Sequence, residues 1–164
     1  MEGLILAGML ETVRAVLPAE NLGWAFPDDM TAAVLLQGPG RSPVNLVLNY
    51  RPPEPVLYLS NDSLRGEPVT PFQRYLQANA RGNLRAARQV KLDRVAVLDF
   101  AGASGFRPAP ELRLVFELTG RNANLIVLDA ESDGDDLDGR AVLAVSREVR
   151  SDRNRYREVR ARRP

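Results

Sequence analysis

Two side chains that carry much of protein chemistry at neutral pH are missing: the 164 residues contain no cysteine and no histidine. The first absence excludes disulfides and thiolate chemistry. The second removes the commonest general base and the commonest zinc ligand, and most hydrolase and zinc-site readings go with it. Lysine is nearly absent too. Of 22 basic residues only Lys91 is lysine, so a serine–lysine pair would have to use a side chain that nothing singles out. No apolar run approaches the roughly 20 residues needed to cross a bilayer. The opening Met1-Glu2-Gly3-Leu4 has neither a basic n-region nor a small-residue cleavage site, which predicts no secretory signal, no membrane association and a cytoplasmic location.

What is present is arginine, unevenly placed. A net charge of +1 hides two basic stretches. From Arg74 to Arg94, Asp93 is the lone acid among six basic residues, and the run after Val145 is arginine-rich to its end. Carboxylates gather between Asp129 and Asp138. A guanidinium donates two parallel hydrogen bonds and suits phosphate, so a nearly neutral chain can still present a basic face. Codon bias in a GC-rich genome is the plainer source of so much arginine.

Periodicity predicts an α+β domain over residues 1–164. Leu6, Met9, Leu10, Val13, Val16 and Leu17 follow helical spacing from Gly3 to Leu17, stopped by Pro18. Short strands are predicted at Trp24–Phe26, Thr31–Gln37, Pro43–Tyr50 and Pro55–Ser60. Thr70-Pro71 opens a second helix, with threonine as N-cap and proline at the first position, running to about Arg81 and ended by Gly82. Five further strands follow: Leu84–Leu92, Arg94–Phe100, Glu111–Leu118, Asn124–Asp129 and Arg140–Ser146. The segment after Ser146 is too charged to form a core element. The expected fold is an antiparallel β-sandwich of about eight strands with two helices. Strands do not alternate with helices and no glycine-rich phosphate loop follows a strand, which excludes a doubly wound nucleotide binder.

The residues argue poorly for catalysis. No serine has a histidine to activate it, and none lies in a nucleophile elbow. Asp28-Asp29 and Asp135-Asp136 sit where turns favour aspartate. The Asp133–Gly139 stretch lacks the ligand spacing and closing glutamate of a calcium loop. No catalytic residue, cofactor or metal is expected. Phe72, Tyr75 and Tyr156 interleave with the basic stretches and can stack on unpaired bases. Phe72 and Tyr75 can equally anchor the second helix to a sheet.

Four landmarks in register resemble one family. Met1-Glu2-Gly3 resembles the family's Met-Asp/Glu-Gly opening. Leu92-Asp93-Arg94 resembles its Leu-Asp-Arg motif. Glu117-Leu118-Thr119-Gly120-Arg121-Asn122-Ala123-Asn124, with the apolar run to Asp129, is similar to its Glu-x-x-Gly-Arg segment. Ser151 to Arg157 resembles its closing Ser…Arg…Arg stretch. On these residues the chain is identified as a member of the NFACT-N, or FbpA-like, family of RqcH, FbpA and NEMF proteins. It departs at Leu76-Gln77-Ala78-Asn79-Ala80, where a basic stretch is usual, at Leu22–Phe26, which is shortened, and at Ala123, where serine is common.

The resemblance implies a fold similar to the N-terminal domain of formamidopyrimidine-type DNA glycosylases. It implies a domain followed, in full-length relatives, by helix-hairpin-helix, coiled-coil and NFACT-R segments that these 164 residues do not include. The implied role is in ribosome quality control: binding large ribosomal subunits that carry obstructing peptidyl-tRNA, and recruiting tRNA for C-terminal alanine tailing, without enzymatic activity. Carried over by position, RNA contacts fall on Asp93, Arg94, Glu117, Gly120, Arg121, Asn122, Asn124, Arg155 and Arg157. Read alone, the same residues also suit a plain turn in which Arg121 pairs with Asp93 or Glu117. Two rivals remain. Glycosylase or lyase activity, with weak DNA binding, would need an N-terminal proline that Met1-Glu2 does not supply. A fibronectin-binding surface adhesin would need export.

Overall fold

The computed structural model describes residues 1–90, 93–130 and 141–148 and the backbone of 157–158. Helix α1 spans Gly3–Arg14, followed by strands β1 (Glu20–Asp28), β2 (Thr31–Gln37), β3 (Val44–Asn49) and β4 (Val56–Ser60). Helix α2 (Pro71–Asn79) precedes β5 (Leu84–Gln89), β6 (Val95–Phe100), β7 (Leu112–Glu117), β8 (Asn124–Asp129), β9 (Ala141–Val145) and the two-residue β10 (Arg157–Glu158). Strands β1 to β4 form one sheet in chain order, and β5 to β10 form a second. Every pairing is antiparallel except β9 with β10. The α+β sandwich expected from periodicity is therefore the observed architecture. Among the described residues no helix is long and apolar enough to cross a membrane.

Alternation along the strands explains how the sheets bury. Ala96, Leu98 and Phe100 of β6 join Leu112, Leu114, Phe116, Leu125 and Val127 in the main core, with Leu6, Leu10 and Leu76 of the helices. The intervening Val95, Val97, Val115, Ile126 and Leu128 form a second apolar cluster, on the other face as the two-residue strand period requires. Fully burying one such side chain stabilises the fold by roughly 1.5–3 kcal/mol. Helix α1 packs against β4 and β5, and α2 against β1 and β9. The helices thus bridge the two sheets.

The boundaries depart from expectation for identifiable reasons. Helix α1 stops at Arg14, and Val16 N and Leu17 N donate to carbonyls three residues back, tightening the exit. Helix α2 has the expected cap, with Gln73 N donating to Thr70 Oγ1 at 3.1 Å. It ends at Asn79, not Arg81: Ala80 leaves helical geometry (φ −89°, ψ 66°), and its carbonyl is capped by Trp24 Nε1 at 2.7 Å and Asn21 Nδ2 at 3.0 Å. Gly82 has another use: a Cβ there would overlap the Ala101 carbonyl oxygen. Strand β1 is longer than expected, passing Gly23 (φ +124°) and Pro27 through two register shifts. Within the charged tail, Arg157 and Glu158 pair in parallel with Ala141 and Val142 at the edge of the larger sheet.

Buried polar groups are satisfied where α2 meets the β1–β2 turn. The fully buried Gln73 donates through Nε2 to Asp28 O at 2.8 Å and to Tyr50 Oη at 3.2 Å, and its Oε1 accepts from Val69 N at 2.9 Å. Tyr50 meets Phe72 edge-on, with ring centroids 5.9 Å apart. Phe72 is buried and Tyr75 packs on the core. Both therefore take the anchoring role rather than the base-stacking one.

Candidate nucleic-acid interface

Antiparallel register brings distant motifs to one end of the larger sheet. Val95 pairs with Glu117, and Glu117 with Asn124, so β6 begins where β7 ends and β8 begins. Leu118 N donates to Arg94 O at 2.8 Å and extends the pairing one residue beyond the strands. In the β5–β6 connection Asp93 N donates to Val90 O at 3.0 Å. Gln89 Nε2 donates to both Asp93 O (2.7 Å) and Gly3 O (3.1 Å), tying this turn to the start of α1. Asp93 and Arg94 are exposed.

The β7–β8 connection is a single 3-10 turn, Gly120–Asn122, closed by Ala123 N donating to Gly120 O at 3.1 Å. Gly120 opens it at φ +70°, a left-handed conformation that favours glycine. A Cβ there would lie 3.7 Å from Pro53 O, so the β3–β4 connection passes beside the turn. Arg121 and Asn122 project into solvent. Among the described residues neither Arg94 nor Arg121 forms an ion pair. The pairing of Arg121 with Asp93 or Glu117, open on sequence grounds, is not what the side chains do.

Other expected contacts are placed differently. Asn124 is 2% exposed and its amide is engaged by its own chain. Its Oδ1 accepts from Ser146 Oγ at 2.7 Å and Arg147 N at 3.3 Å, and its Nδ2 donates to Arg147 O at 3.2 Å. That leaves it a supporting role beneath the turn. Glu117 is half-buried at the end of β7 and already engaged. The Arg157 backbone lies at the opposite end of the sheet, beside Ala141. Arg155, Tyr156 and the Asp133–Gly139 stretch fall outside the described residues.

The Arg74–Arg94 stretch does not form one basic patch. Arg81 donates to the carbonyls of Ala78, Arg107 and Pro108. Arg85 lies 3.6 Å from Glu111. Arg51, in the β3–β4 connection, is likewise committed: its hydrogen bond to Asp29 at 2.6 Å pulls its guanidinium pKa further up. Exposed Glu2, Glu54 and Asp93 belong to the same end as Arg94 and Arg121. The arrangement therefore suits directed guanidinium contacts better than a broad positive field. Sequence reasoning missed Arg147, whose Nη2 donates to Arg121 O at 2.6 Å. The only signal available was its place just after a strand that pairs with the start of β8.

Comparison with known proteins agrees with the fold. The family model described as NFACT N-terminal and middle domains matches residues 13–164. Among solved structures, the N-terminal domain of fibronectin-binding protein PavA from Streptococcus pneumoniae superposes with a TM-score of 0.76 at 17% identity, over 93% of this chain and 56% of that one. The N-terminal part of the fibronectin/fibrinogen-binding protein FBPS from Streptococcus suis gives 0.76 at 16% identity, over 91% and 54%. The fibrinogen-binding protein from Staphylococcus aureus gives 0.67 at 18%, over 91% and 51%. At such identities the likeness is one of fold. The chain spans just over half the length of these structures. No curated protein matches it.

Proposed function

Since this chain belongs to the NFACT N-terminal family, we propose that it is an RNA-gripping module of a ribosome quality control factor, working in the cytoplasm. In this reading it helps hold a large ribosomal subunit carrying an obstructing peptidyl-tRNA, and it engages the tRNA recruited for alanine tailing of the nascent chain. Peptide-bond formation belongs to the ribosome; this domain contributes position. The supporting observation is that Arg94 and Arg121 stand exposed on adjacent connections at one sheet end, without carboxylate partners among the described residues. Each guanidinium can bridge two phosphate oxygens, and Asp93 can orient a guanidinium or accept from a base amine. Asn122 offers both a donor and an acceptor.

The rivals fit less well. A glycosylase-type nucleophile would need a free terminal amine, yet the Met1 amine is half-buried and donates to Pro55 O at 3.4 Å. The streptococcal and staphylococcal neighbours carry names of fibronectin or fibrinogen binders, which keeps an adhesin reading testable. In the full-length protein, R94A with R121A should weaken tRNA binding by at least about 100-fold, at about 1.5–3 kcal/mol for each charged hydrogen-bonding group lost. Alanine tailing should cease while the melting temperature holds. Wild-type tailing in the double variant would sink the proposal. Fibronectin binding by intact cells, indifferent to both substitutions, would put the adhesin in its place.

A further inference from the structure

The Gly120–Asn122 turn is braced from outside. After β9 the chain reaches Ser146 and Arg147, where the buried amide of Asn124 grips both: Oδ1 accepts from Ser146 Oγ and Arg147 N, and Nδ2 donates to Arg147 O. Leu125 N also donates to Ser146 Oγ at 3.0 Å. With its backbone held in this way, Arg147 directs Nη2 onto the carbonyl of Arg121 at 2.6 Å. One nitrogen of the guanidinium is thereby occupied. Its Nε is buried without a hydrogen-bond partner among the described residues, and Arg147 forms no ion pair there. A guanidinium that is charged, engaged through one of its three nitrogens and adjacent to an exposed arginine lacks an anionic acceptor.

We infer that Arg147 is the third guanidinium of this site: it contributes a contact to an RNA backbone phosphate, and through the Arg121 carbonyl it positions Arg121. The inference deepens the RNA-gripping reading and rests on it. Asn124 is then a positioning residue acting through Arg147. Three arginines from the β5–β6 connection, the β7–β8 connection and the exit of β9 converge on one ligand class although 52 residues of chain separate the first from the last.

The test uses this chain with fluorescently labelled tRNA, together with amide hydrogen exchange over residues 119–123. R147A should lower affinity at least about 10-fold, as expected for a lost charged hydrogen bond, and should speed exchange in the turn. R147K, which keeps a point charge without the fork, should fall between R147A and the unaltered chain. R121A combined with R147A should lose less than the product of the two single losses. Unchanged affinity in R147A, beside loss in R94A and R121A, overturns this inference and leaves the RNA-gripping reading standing. Loss of affinity with unchanged exchange and fully multiplicative effects overturns the positioning role. No binding by the unaltered chain, or full binding in all three single variants, overturns both readings.

Discussion

The two ends of the six-stranded sheet put the same residue type to opposite use. At the β6–β7 end, Arg81 closes on the carbonyls of Arg107 and Pro108, Arg85 faces Glu111, and the buried Arg113 pairs with Asp99 at 2.6 Å. At the other end Arg94 and Arg121 stand in solvent. Arg81, Arg85 and Arg94 come from one basic stretch, so sequence neighbourhood does not decide their roles. What decides is whether carbonyls or carboxylates lie within reach once the chain has turned. A loop of some ten residues, Ala101–Glu111, leaves carbonyls that need donors. Val90, Asp93 and the turn at 118–123 satisfy much of their own backbone, and Arg94 and Arg121 are left without ion pairs among the described residues.

The largest effect separating the two ends should come from glycine. Gly82→Ala drives a methyl into the Ala101 carbonyl, backbone against backbone, and should cost about 3 kcal/mol or more in urea unfolding. Gly120→Ala meets nothing closer than 3.7 Å and carries only the strain of φ +70°, about 1–2 kcal/mol. Equal losses in the two variants would dissolve the contrast between a packed end and an open one.

A second test concerns a group that lies close in sequence to the open end's loops yet belongs to the interior. Burial pushes the Tyr50 phenol up to about 12, with Asp28 and Asp29 adding to the shift while Gln73 and Arg51 oppose it. The unfolded phenol ionises near 10, so the folded state holds the proton more tightly. The stabilisation is therefore complete below pH 10 and is lost as pH rises from about 10 to 12, amounting to about 2–3 kcal/mol. Denaturant midpoints should fall across that window, and Tyr50→Phe should flatten the fall. An unchanged slope in Tyr50→Phe would mean that another group carries the alkaline loss.

Much of this fold is legible in the sequence because strands and turns announce themselves locally. The apolar runs of β6, β7 and β8 are nearly continuous because both faces of those strands are buried. The Thr70 cap and Pro71 mark α2. Family motifs also pointed to Arg94 and Arg121, which the register then brings to neighbouring connections. Arg147 and the true duty of Asn124 were not legible. Both depend on β9 lying beside β8, a pairing made across the Glu131–Arg140 connection, and no local pattern states which strand ends will share an edge. Gly82 was misread for a similar reason: a helix-ending glycine and one required by close passage of another strand look alike until the fold is known.

The smallest expected effect bears most directly on the comparison. Arg81→Ala removes the donor that serves the Arg107 and Pro108 carbonyls. Both residues can turn to water, so the loss should be modest, about 1 kcal/mol. Arg94→Ala removes a side chain without an ion-pair partner among the described residues and should shift stability by no more than about 0.5 kcal/mol. The informative pattern is crossed: Arg81→Ala lowers the unfolding midpoint and spares tRNA affinity, while Arg94→Ala does the reverse. Were Arg94→Ala to destabilise the fold as much as Arg81→Ala, its guanidinium would be serving its own chain. An arginine that already stabilises its own chain forfeits that interaction when it turns to bind phosphate, whereas an unengaged one does not. The open end can therefore hold RNA without loosening the fold beneath it only if its arginines contribute little to that fold.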